Sequence, residues 1–250
     1  MPLLWVGQLA CAFKLPWGPK FLAAAWQVGG DGQVAYLALS RMRLFEPAEV
    51  LRPLAARWFA ARPRPQIAAF AGMLAFNAND LDEAQQMLAA GRDAGGQGDE
   101  TLDMLELFLV MRSNDPHATA ELVTRWQTRR DLGLVPAKFV CEELLLRAML
   151  HGHWAEAEQR AKHLWAIEDA PVAATAFWAL DRHRGETSDL AAFLKPGTLN
   201  PADMLFYETL GYIVAGTRTE IEQALAALYA VDGAMAYKAQ QYLQQKETPV

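Results

Sequence analysis

Apolar residues recur at three- and four-residue spacing along almost the whole chain, the periodicity of helices with one buried face. The clearest break between two such runs is Asn77 to Leu88, NANDLDEAQQML: a turn-like Asn-Asp, one apolar residue, an acidic pair, then Ala84 in a new apolar helix. Before it, residues 1–30 predict two short helices around the turn Leu15-Pro16-Trp17-Gly18-Pro19, and Gly29-Gly30-Asp31-Gly32 is a breaker. A helix over 33–43 places Val34, Leu37, Ala38 and Met42 at helical spacing. Pro47 suits the first turn of the next helix, where a missing N–H costs little. That helix runs to about Ala61 and stops at Arg62-Pro63-Arg64-Pro65.

Residues 66–78 and a partner from Leu81 follow, the partner ended by Gly95, Gly96 and Gly98. The pattern then predicts a heavily apolar helix over 100–112, a turn at Asn114-Asp115-Pro116, and a helix from His117 through Trp126 to about Asp131. Residues 137–150 form the most apolar helix, with Glu142, Glu143 and Arg147 on one side, and read as buried nearly all round. Gly152 leads into 154–167. The remainder reads as 171–183, a Gly185 turn, a short helix before Lys195-Pro196-Gly197, then 201–215, a Gly216 turn, 220–230 and 234–245.

The turns near Phe45, Asn79, Asn114, Gly152, Gly185 and Gly216 are separated by 34, 35, 38, 33 and 31 residues. A period near 34 with two helices per unit resembles the tetratricopeptide repeat, here over residues 33–231. The matching residues are Gly72 in a first helix, the Asn79-Asp80-Leu81 turn and Ala84 in the second helix; Gly152, Trp154 and Ala157 repeat the turn, aromatic and alanine positions. Small residues let two helix axes approach closely while large ones fill the groove between them. The unit at Asn114 departs, with Pro116 and Thr119 at the aromatic and alanine positions, and the unit at Gly185 has a short second helix. A helical-hairpin solenoid of looser consensus and an irregular α-bundle fit the same pattern. The resemblance implies an all-α solenoid of antiparallel helix pairs in a right-handed superhelix. Residues 1–32 would be a hairpin cap, 33–231 five to six repeats, and 232–250 a capping helix and tail.

Composition agrees with helix: 52% of residues are apolar and 21% charged, and Ser, Thr and clustered β-branched residues are few. The net charge of -6 hides an asymmetry, because residues 1–65 carry eight Lys and Arg against three Asp and Glu, a net of +5, leaving -11 for the rest. Six of those eight are arginines, between Arg41 and Arg64. Two solvated faces of opposite sign explain this split, and so does an anionic surface at one end. Residues 3–13 are apolar apart from Gln8, but Lys14, Pro16, Pro19 and Lys20 interrupt before 21–28 resumes, which rules against a spanning helix. With no basic residue before the apolar run and no small-residue cleavage site after it, a signal peptide is not the expectation either. Cys11 and Cys141 lie far apart within apolar helical patterns and read as buried free thiols.

No catalytic signature is present. His151 and His153 straddle a glycine turn, with Glu156, Glu158 and His163 in the next helix, and these spacings do not match a zinc site. Asp80, Asp82 and Glu83 lack the glycine and closing Glu of a calcium loop and read as acids at a helix start. In the resembled family the first helix of each unit lines the concave face, which implies partner-binding positions at Leu39 and Met42, Met73 and Phe76, Met104, Phe108 and Met111, then Leu146 and Met149. The same positions fit an inter-helix core. Such a groove is apolar and methionine-rich, suited to varied apolar ligands. Arg182 and His183 add polarity further along, for a ligand with an acidic end. The expectation is therefore a non-enzymatic, soluble, cytoplasmic scaffold or adaptor without cofactor, metal or nucleic acid, whose partner is another protein or peptide. The alternatives are a membrane-peripheral assembly factor anchored by Trp5, Phe13, Trp17 and the Arg41–Arg64 segment, and a helical enzyme or metal-binding domain at His151 and His153.

Overall fold

The computed structural model describes residues 2–15, 17–29, 31–113, 115–167, 170–195 and 197–247. Pro16, Gly30, Asn114 and Pro196, singled out above as turn residues, lie outside them. Among the described residues there are fourteen α-helices and no strand. They are α1 (Pro2–Ala12), α2 (Gly18–Gln27), α3 (Gly32–Met42), α4 (Ala48–Ala61), α5 (Pro65–Asn77), α6 (Leu81–Asp93) and α7 (Glu100–Ser113). Then come α8 (Pro116–Trp126), α9 (Leu134–Leu150), α10 (Trp154–Ile167), α11 (Pro171–His183), α12 (Pro201–Ala215), α13 (Arg218–Val231) and α14 (Gly233–Glu247). The short helix expected before Lys195 is a single 3-10 turn, Leu190–Phe193.

Local chemistry sets most of these boundaries. Asp31, Asp80, Asn200 and Thr217 each accept a backbone N–H in the first turn of α3, α6, α12 and α13, and Thr217 with Glu220 completes a reciprocal capping box. Five helix ends share one closing turn, in which an N–H reaches back five residues to a carbonyl: Leu15 to Ala10, Asp80 to Ala75, Gly96 to Gly91, His153 to Ala148 and Glu186 to Asp181. The residue inside each turn is left-handed, which suits Gly95, Gly152 and Gly185; Lys14 and Asn79 hold the same conformation with a side chain. Gly216 is different, its backbone extended, and the capping box of α13 makes that turn.

Two helices depart from the expected limits. The helix from His117 ends at Trp126 rather than near Asp131, because Arg129 turns back to pair with Asp103 on α7. Helix α9 starts at Leu134, three residues early, with Pro136 in its first turn.

Contacts divide the chain into two units, Met1–Asp115 with Arg129–Pro136, and Pro116–Thr128 with Ala137–Val250. In the first unit α1 and α2 pack as a hairpin and both contact α3. Helix α5 contacts α3, α4, α6 and α7. The core is built from Leu22, Trp26, Leu39, Leu51, Trp58, Ile67 and Phe70, with Trp26 and Trp58 stacked at 5.5 Å. Arg62 lies over the Trp26 ring at 5.0 Å and donates to the carbonyls of Trp26 and Gln27, closing the end of α2. Gly72 sits where α5 meets α6 and α7: a Cβ there would overlap Leu105 and lie 3.2 Å from the Cβ of Met87. A second buried cluster, Ala75, Ala84, Leu105 and Leu109, fills that junction.

In the second unit α11 packs on α10 and α12, α13 on α12 and α14, and α14 also on α12. Leu145, Met149, Leu164, Ile213 and Leu228 are central to its core. Lys246 on α14 donates to the carbonyls of Ile213 and Val214, serving as the C-terminal partner of α12. Cys11 is buried, Cys141 half-buried, and both are free thiols.

Candidate functional site

The ten residues implied as a binding face separate into three environments. Leu39 and Met42 are buried in the first unit's core, in one cluster with Leu22 and Trp26 of the hairpin that packs on α3. Leu146 and Met149 are buried in the second unit, in the cluster that holds Leu210 and Ile213 of α12. A neighbouring helix covers these four, so their positions on first helices are core positions and not a partner-facing surface.

Arg182 is engaged as well. Its guanidinium donates to Glu220 at 2.8 Å and lies over the rings of Trp178 and Tyr212, at 5.5 and 5.0 Å. His183 stacks on Trp154 at 4.4 Å. The expected receptor for an acidic ligand end is therefore an internal tie between α11 and α13, its charge already matched.

The other five stay together. Met73 and Phe76 on α5 and Met104 and Phe108 on α7 are half-buried, and Met111 is 51% exposed. Phe76 and Phe108 stack with centroids 6.0 Å apart and planes 26° from parallel, across the line where α5 contacts α7. Met73 and Phe76 pack on the buried Ala75, Leu105 and Leu109, which provide a rigid floor beneath them. Arg112 and Asn79, hydrogen-bonded at 3.0 Å, stand at the exposed end of these two helices. The result is a strip of aromatic rings and thioethers with one wet side and one dry side, a composition typical of recognition surfaces. No acid, base or nucleophile lies among these five residues.

No family model, curated protein or solved structure matches this chain.

The histidines do not converge. His151 and His153 have ring centroids 6.2 Å apart, and His153 faces Glu156 at 3.9 Å. His163 lies in an open cleft of about 460 Å³ with Cys141, Glu156, Gln159 and Arg160. Glu158 is taken up by Lys162 and Arg184 at 2.8 and 2.7 Å, which hold its carboxyl below the usual range. Among the described residues no three His, Cys, Asp or Glu side chains are placed to hold a metal ion. Asp80 caps α6 and pairs with Arg52 of α4 at 2.8 Å, and Glu83 pairs with the same arginine. Helix-start chemistry and a tie to α4 account for these acids.

Two polar features take their character from tertiary packing. One is Asp103, wholly buried on the apolar α7 between two arginines, Arg92 and Arg129. The other is Glu143 on α9. Burial raises its carboxyl above the usual range, against the opposing pull of Lys238, Arg147 and the hydroxyl of Tyr242, 3.5 Å away. The nearby Tyr207 phenol is pushed up to about 12 by burial and by Glu142 and Asp203. A carboxyl whose pKa rises on folding binds its proton more tightly in the native state, so stability falls as pH climbs from about 4.3, the ordinary glutamate value, through the raised one. Glu143→Gln removes this loss: the variant gains in melting temperature relative to the parent as pH goes from 4 to 7. A difference between the two proteins that is flat across that range, or slopes the other way, contradicts the assignment.

Proposed function

We propose that this chain is a non-enzymatic, tetratricopeptide-like helical-repeat scaffold that binds a partner polypeptide on the strip formed by Met73, Phe76, Met104, Phe108 and Met111. The observation that carries the proposal is the half-buried Phe76–Phe108 stack across two adjacent first helices. Support for the repeat comes from the spacing of the turns near 34 residues, the packing of α5 against both α3 and α7, and the placement of Gly72 and Ala84 where α5 and α6 approach closely. Stacked units of this kind leave their first helices side by side, and the exposed residues of those helices make one continuous surface.

The occupant is an amphipathic helix or an extended apolar segment, whose apolar side chains lie along the strip while its polar side remains in water. Methionines tolerate several ligand shapes, and the stacked phenylalanines supply rigid contact area at small entropic cost. Phe108→Asp tests the surface, since it puts a charge at the centre of the strip while Leu105 and Leu109 beneath it are untouched. A central anchor is worth roughly 2 kcal/mol or more, so the variant binds the captured partner at least about 30-fold more weakly while melting as the parent does. A folded variant that captures the partner as well as the parent does sinks the proposal.

A further inference from the structure

Helix α1 carries no charged residue, yet only one side of it is inside. Leu4, Gly7, Ala10 and Cys11 are buried, and the helix packs on α2 and α3. On the opposite side Trp5, Leu9 and Phe13 follow one another at i, i+4 and i+8, 65, 57 and 74% exposed. Phe13 still donates its N–H to the Leu9 carbonyl, so it continues the same ridge past the end of α1. An exposed apolar ridge without an interrupting charge marks a contact surface.

The charges of this hairpin have one sign. No Asp or Glu occurs anywhere from residue 2 to 29. Lys14 and Lys20 stand on either side of Trp17, itself 41% exposed, in the turn between α1 and α2. Lys14 has a left-handed backbone, φ 55°, where the other turns of this type mostly carry glycine. A cation thus occupies a position whose backbone geometry favours glycine.

We propose that this face docks on an anionic lipid bilayer, with α1 lying in the plane of the interface. Trp5, Leu9 and Phe13 enter the boundary between headgroups and acyl chains, and Lys14 and Lys20 meet lipid phosphates. Tryptophan and lysine are the side chains that settle at this depth. A bilayer supplies both things the face lacks, an apolar cover and negative charge, whereas a second copy of the face brings another set of cations and no carboxylate. Among the described residues no helix is long and apolar enough to cross a membrane, and the 11 residues of α1 rise about 16 Å against a hydrocarbon core of about 30 Å.

The test is flotation of the whole chain with vesicles of phosphatidylcholine alone and with about 30 mol% phosphatidylserine. The protein floats with the anionic vesicles, stays behind with the neutral ones, and loses binding as salt rises. Lys14→Gly removes one charge while easing the backbone, so the fold is retained and the partition coefficient falls about fivefold. The double variant Trp5→Gln, Phe13→Gln changes exposed side chains only and loses tenfold or more, with an unchanged melting curve. Absence of flotation overturns the proposal, as does equal binding to both vesicles. So does a double variant that floats like the parent. If the double substitution instead converts a sedimenting dimer to monomer, the ridge is a self-contact and the lipid assignment falls.

Discussion

Replacing Asp103 by alanine lowers the free energy of unfolding by about 3–5 kcal/mol, the cost of leaving buried charge without its partner. The carboxylate is wholly buried and answers two guanidinium groups. Arg92 donates at 2.7 Å, and Arg129 donates to both oxygens at 3.0 and 2.9 Å, the paired geometry that makes such bonds strong. Each arginine is also tied elsewhere. Arg92 reaches Glu106 at 2.7 Å and the Gly96 and Gln97 carbonyls, and Arg129 reaches Asp131. Asp103 and Asp131 together hold the Arg129 guanidinium well above the ordinary arginine range. Asp103 is therefore the point at which the end of α6, the start of α7 and the 129–131 segment are joined. In the alanine variant the arginines keep their positive charges beside an empty space with one fewer acceptor. Urea unfolding followed by far-ultraviolet circular dichroism measures the loss; a decrease under about 1 kcal/mol means that the cluster contributes little to stability.

Truncating Trp178 to alanine is expected to cost a similar amount in the second unit, about 3–5 kcal/mol. Its ring is buried on α11 and meets Tyr212 edge-on at 5.1 Å, and its indole N–H donates to the Ser188 carbonyl at 2.7 Å. Gly211 on α12 leaves room for it: a Cβ at that position would overlap the indole. Leu190 and the partly buried Phe193 and Leu194 pack around the same ring, so it supports the 3-10 turn as well as the helix pair. Trp178→Phe keeps much of the apolar volume and loses the hydrogen bond, a smaller cost of about 0.5–1.5 kcal/mol plus imperfect packing. Thermal unfolding of the two variants should rank them in that order. Equal melting temperatures for Trp178→Ala and the parent contradict the central role given to the ring.

Much of the secondary structure was legible because its causes are local. Asp80 lies three residues before the N–H it caps, Thr217 and Glu220 complete their box within one turn, and Gly152 and Gly185 close helices through bonds spanning five residues. At the end of α8 the expected limit failed for a distant cause: the helix stops at Trp126 while Arg129 finds its acceptor 26 residues earlier. The candidate site was legible only in part. Periodicity placed Met73, Phe76, Met104, Phe108 and Met111 on first helices, but it put Leu39, Met42, Leu146 and Met149 on the same footing. Asp103 lay unnoticed in an apolar run, because both of its arginines come from other segments.

The amino-acid sequence by itself determined the succession of helices, their caps and their turns, along with the uncharged α1 and the lack of carboxylates from residue 2 to 29. Hydrogen-bonding reach and side-chain periodicity act over a few residues, so they can be read along the chain. Only the tertiary structure decided which apolar residues are core and which are surface. Leu39 and Met42 disappear beneath the packing of the first hairpin on α3, whereas Phe76 and Phe108 keep one side open to water. Exposure depends on what comes to lie against a side chain, and those neighbours are brought together only when the helices pack.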